Sequence, residues 1–113
     1  MGNEMTNLEI NKALALAIGW KRDALYINYY GALQIDISNA TERYPMRVLF
    51  DYRDWNVIGP IAERYEAFPL ISDSKPGIWF TRVRNQNRLQ VPFAYADTPQ
   101  KAIALAVING ANK

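Results

Sequence analysis

The chain has 113 residues, half of them hydrophobic and 12% aromatic, enough apolar surface to bury a core, so disorder is excluded as the default state. Thirteen Lys and Arg against eleven Asp and Glu leave a formal charge of +2, too balanced for a protein that lives on phosphate backbone and too positive for an acidic mimic of nucleic acid. There is no Cys and no His, which removes disulfides, thiolate and imidazole metal ligands, thiol nucleophiles and imidazole acid–base chemistry together.

The size, with no repeat, low-complexity tract or linker, predicts a single domain over residues 1–113. Glu4 stands where a secretory signal would carry Lys or Arg, and the low-charge stretches 13–20 and 102–108 are too short to span a bilayer. The expectation is a cytoplasmic protein without a membrane partner.

In chain order, residues 6–19 predict a helix. Thr6 and Glu9 form a capping-box pattern, Leu8, Ile10, Leu14, Ala15 and Ile18 recur at helical spacing, and Gly19 suits a left-handed terminus. Residues 25–30 and 33–37 then read as two strands, with Leu33, Ile35 and Ile37 alternating against polar neighbours and Gly31-Ala32 as the turn. A polar loop over 39–44 leads to the apolar stretch 46–50, a fifth strand or an extended connection.

Asp54 is the expected N-cap of a second helix over residues 55–68, in which Gly59-Pro60 predicts either a kink or a later start. Residues 78–84 and 89–95 predict a second hairpin turning at Asn85-Gln86-Asn87. Leu89, Val91, Phe93 and Tyr95 are expected to face the core, and Pro92 puts their strand at an edge or a bulge. Thr98-Pro99 opens a third helix that is expected to stop at Gly110. This order of elements predicts an α+β fold, a mostly antiparallel sheet of two hairpins packed with three helices in a sandwich-like arrangement.

The second hairpin carries the most suggestive chemistry. Arg82 and Arg84 are two apart on one strand, Arg88 follows the turn, and guanidinium groups so placed can grip a phosphate bidentately. Phe80 shares their face and can stack on a base. The plainer reading, a charged strand face kept soluble and protected from edge pairing, stays open beside it. Tyr26, Tyr29 and Tyr30, with Trp20, form an aromatic group in the first hairpin, suited to core, to an interface or to a ligand ring. Arg53, before the second helix, can add charge to free amides there, although Asp51 and Asp54 compete for the same amides. Glu63, Arg64 and Glu66 read as a solvated helix face. No Gly-rich phosphate loop, nucleophile motif or nucleic-acid module is visible.

Three blocks resemble one family. Leu8-Glu9-Ile10-Asn11-Lys12-Ala13, Asp54-Trp55-Asn56 continuing into Ile58-Gly59-Pro60-Ile61-Ala62-Glu63-Arg64-Tyr65, and Ala96-Asp97-Thr98-Pro99-Gln100-Lys101-Ala102-Ile103 are similar to the small NinX-like proteins of tailed bacteriophages. The last block also resembles the related phage alpha-beta-alpha sandwich domains. Residues 31–52 carry no part of the likeness. The resemblance implies a phage accessory protein in the host cytoplasm, of a kind that often opposes host defence, and it supplies no catalytic residues.

The combined expectation is a non-enzymatic protein that binds and sequesters a host immune nucleotide signal, with Arg82, Arg84, Arg88, Phe80, Tyr29, Tyr30 and Arg53 as the ligand-binding candidates. No cofactor, metal or specific DNA is expected, and self-association is. Two alternatives remain: an inhibitor that binds a host defence protein directly, and a small metal-dependent phosphodiesterase using Asp51, Asp54 or Glu63.

Overall fold

A computed structural model describes residues 5–38, 46–84 and 92–111. They form two compact units that divide between Asp51 and Tyr52. Each unit combines helix with a three-stranded antiparallel sheet, so the chain is α+β.

In the first unit, helix α1 covers Asn7–Ala17. Both halves of its capping box form: the Glu9 N–H donates to Thr6 Oγ1 at 3.1 Å, and the Thr6 N–H donates to Glu9 Oε1 at 2.7 Å. Two amides that helix geometry leaves open are thereby satisfied. Ile10, Leu14 and Ala15 are wholly buried, and beyond the C-cap Ile18 the chain turns through Gly19 at φ 112°.

Strands β1 (Leu25–Ile27), β2 (Leu33–Asp36) and β3 (Arg47–Leu49) follow, with β2 in the middle. The apolar stretch at 46–50 therefore contains a strand, which pairs Val48 with Ile35. Leu33 and Ile35 are buried, while the alternate residues Gln34 and Asp36 are only half-buried. The expected polar loop at 39–44 lies outside the described residues.

The first hairpin corrects the turn assignment. The connection is not a two-residue step at Gly31-Ala32 but the longer segment 28–32. Asn28 Oδ1 accepts from the N–H groups of Tyr30 and Ala32 at 2.9 and 3.0 Å, and Gly31 sits at φ 80°. A side chain that binds backbone amides competes with the strand ladder, so β1 ends at Ile27 and the two tyrosines leave the strand.

In the second unit, Asp54 Oδ1 accepts from the Asn56 N–H at 2.9 Å and caps helix α2, Trp55–Tyr65. Pro60 lies inside this helix, which neither begins there nor reaches residue 68. It ends because Glu66 adopts a left-handed conformation, φ 51°, and the Ala67 N–H returns to the Ala62 carbonyl at 2.8 Å. That turn directs the chain into strand β4 (Pro69–Ile71), an element the sequence does not predict.

Strand β5 (Trp79–Arg82) lies between β4 and β6 (Phe93–Ala96). Pro92 stands at the entrance of an edge strand, where its missing N–H leaves no gap, and its carbonyl accepts from the Val83 N–H at 2.9 Å. The hairpin turn at 85–87, with Arg88, Leu89 and Val91, lies outside the described residues. Helix α3 (Pro99–Ala111) is capped by Thr98, whose Oγ1 accepts from the Lys101 N–H at 3.2 Å. It runs through a buried Gly110 rather than stopping before it. α3 packs against all three strands of its sheet and against α2.

The packing of α3 decides which face of this sheet is core, and it overturns the expected assignment for β6. Thr81, Val83 and Ala94 are buried on the α3 side, together with Ala102, Ile103 and Ala106 of the helix. Phe93 and Tyr95 point the other way and are 51% and 55% exposed. The physical reason is shape. An alanine-rich helix lies close to its sheet, and the small Ala94 fits under it where Phe or Tyr would not.

Candidate functional site

The register of the second sheet brings several expected residues together on the face that α3 leaves uncovered. On β5, Phe80 and Arg82 alternate with the buried Thr81 and Val83, and Arg84 continues the series just beyond the strand. Phe80 pairs with Leu70 on one side and Tyr95 on the other, while Arg82 pairs with Phe93. Directly paired residues share a face, so one apolar and aromatic surface surrounds the two arginines.

Rings dominate this surface. Phe80 lies 4.9 Å from Tyr95 and 5.8 Å from Phe93 between centroids, at tilts of 42° and 46°. Phe68, Leu70, Phe80, Arg82, Arg84 and Glu66 line an open depression of about 290 Å³. Phe68 and Leu70 are 56% and 59% exposed, an unusual concentration of apolar surface facing solvent. Arg82 and Arg84 are exposed, and among the described residues neither guanidinium has an ion-pair or hydrogen-bond partner. Glu66 is the acidic group among the described residues of the lining; its backbone carbonyl accepts from the Arg84 N–H at 3.3 Å. The depression can therefore offer two positive forks and an aromatic floor to an anion that carries a flat ring.

The other candidates stand elsewhere. Tyr29 and Tyr30 occupy the hairpin tip of the first unit, 96% and 88% exposed, with rings edge to face at 5.5 Å. They are neither core nor strand residues. Tyr26 stays on β1, where the Arg47 guanidinium lies 3.8 Å from its ring centroid. Arg53 precedes α2, and its carbonyl accepts from Gln100 Nε2 at 3.2 Å, which ties this segment to the start of α3. Arg88 lies outside the described residues.

The acidic candidates for metal chemistry are Asp51, Asp54 and Glu63. Asp54 is engaged as the cap of α2, and among the described residues no group of three Asp or Glu side chains is placed to hold a metal ion. Glu63 is exposed on the solvent side of α2, as the charge pattern predicts. Asp36, on β2, has a carboxyl pushed from its usual range. The Ser38 hydroxyl and N–H both donate to it and Arg47 stands opposite, so its pKa falls below the ordinary 3.8.

Phe93 and Tyr95 are the site residues that sequence reasoning misplaced, Phe68 and Leu70 are those it did not consider, and Glu66 it read as part of a solvated helix face. The signal for the first two was present: Phe93 and Tyr95 alternate with Ala94 and Ala96, and the helix that follows is built from alanines. No helix among the described residues is long and apolar enough to cross a membrane. No protein-family model matches the chain, and no curated protein matches it. The likeness to phage accessory proteins rests on its three sequence blocks.

Proposed function

We propose that this protein is a phage accessory protein that binds a nucleotide signal of the host and withholds it, without transforming it. One observation carries the nucleotide reading: two guanidinium groups, without a partner among the described residues, stand beside Phe80 in a depression on a largely apolar sheet face. Arg82 and Arg84 grip phosphate, and the rings around them stack on the base. What favours withholding the ligand is the lining itself: among the described residues it offers two guanidiniums and apolar side chains, with Glu66 as its carboxylate. The phage setting and the role against host defence come from the resemblance of residues 8–13, 54–65 and 96–103.

The test is native mass spectrometry of the protein purified from bacteria, followed by denaturation and identification of any released small molecule. A nucleotide released intact, and lost from Arg82→Ala and Arg84→Ala, is the expected result. An empty wild-type protein that also takes up no added nucleotide overturns the reading. In that case direct binding to a host protein gains, and Tyr29 and Tyr30 favour it specifically, since two almost fully exposed rings at a hairpin tip suit a protein contact.

A further inference from the structure

The open face of the second sheet carries more stacking surface than a single base uses. Phe93 and Tyr95 are two residues apart on β6 and leave the strand on the same side. Both are about half exposed, their centroids are 6.0 Å apart, and their planes stand 85° to one another. Phe80 lies against both from the neighbouring strand and braces them. Because the two ring planes stand 85° apart, bases resting on them would be turned away from one another and so unstacked. Arg82 stands directly across from Phe93 in the register, which puts a guanidinium beside the path that joins two such bases.

We infer that the ligand of this face is a dinucleotide: two bases, one on Phe93 and one on Tyr95, joined through a phosphate that Arg82 and Arg84 hold. The inference rests on the nucleotide reading above and specifies its substrate class. The occupant is small rather than a long strand, for two reasons. The face is three short strands of three or four residues each, and the chain's net charge of +2 supplies no track for a phosphate backbone to follow.

Titration calorimetry on the intact protein tests this with four probes: AMP, the 5′-phosphorylated dinucleotide pApA, cyclic diadenylate and a twelve-residue oligoadenylate, repeated with the uridine series. Each base stacked on an aromatic ring adds roughly tenfold in affinity, so pApA or cyclic diadenylate, or its uridine counterpart, is expected to bind about ten times more tightly than the mononucleotide. Phe93→Ala or Tyr95→Ala then brings the dinucleotide down to mononucleotide strength with the circular dichroism spectrum unchanged, and Tyr95→Phe keeps the wild-type affinity. Equal affinity for mono- and dinucleotide overturns the inference while leaving the nucleotide reading standing. Much tighter binding of the twelve-residue strand, with steep salt dependence, overturns it in favour of a single-strand platform. Binding of none of the probes removes the nucleotide reading itself.

Discussion

Thr81 offers a sharp test of how the two faces of the second sheet divide their roles. It is wholly buried beneath α3, and its Oγ1 has no hydrogen-bond partner among the described residues. A hydroxyl buried without a partner costs roughly 1–3 kcal/mol in proteins. Valine has the same branched shape and the same preference for strands, and it replaces the hydroxyl with a methyl group. Thr81→Val is therefore expected to raise stability by about 1 kcal/mol or more. For a chain of this length each kcal/mol moves the thermal midpoint by about 4 °C. Differential scanning calorimetry reads that shift, and Thr81→Ser, which keeps the hydroxyl and loses the methyl, should move the midpoint down. Nucleotide affinity should not change in Thr81→Val, because the side chain points away from Phe80 and Arg82. A lower midpoint for Thr81→Val would show that the hydroxyl is bonded in the folded protein, and the reasoning would fail.

Two further outcomes follow from the charges. Glu66→Gln removes the carboxylate at the rim of the depression, so affinity for the bound nucleotide should rise severalfold at low salt, with the gain shrinking as salt screens it; calorimetry at two ionic strengths reads this. Asp36 has a folded pKa below its ordinary 3.8, so it contributes stability above that value and loses it as pH falls through the folded pKa. Asp36→Asn should accordingly lower the thermal midpoint at neutral pH, by an amount that stays level down to about pH 5 and narrows below 3.8.

The helices were the most legible part of the chain, because their ends are written in local chemistry. Thr6 with Glu9, Asp54, and Thr98 with Pro99 each act on amides within three residues, so no distant contact is needed to read them. What failed was decided by parts of the chain far from the residue in question. Whether Phe93 or Ala94 meets the core depends on how closely α3 approaches, and a period of two gives both faces equal claim. The strand at Pro69–Ile71 is three residues long and follows a left-handed Glu66, a conformation rare enough outside glycine that helix seemed to continue. Asn28 ended β1 early through its side chain, and the strand-rich run of tyrosines after it pointed the other way. At the site, Phe80, Arg82 and Arg84 were visible as a period-two series on one strand. Phe68 and Leu70 were not, because they reach that face only through a strand pairing.

Under the proposed function, the same face would suit a charged ligand better than a second copy of the chain. Exposed aromatics on a sheet commonly mark an interface between identical subunits, and a two-fold axis through this face would bring Phe80, Phe93 and Tyr95 of each copy together. It would also bring both copies' Arg82 and Arg84 into the same desolvated layer, four guanidiniums from a surface on which, among the described residues, one carboxylate, Glu66, lines the depression. Like charges buried together without partners cost several kcal/mol, enough to cancel much of what the rings contribute. A nucleotide reverses that balance, since its phosphate neutralises the arginines as its bases cover the rings. On the proposed nucleotide reading, the arginines are what would select, among the partners an aromatic surface accepts, for a flat, anionic one.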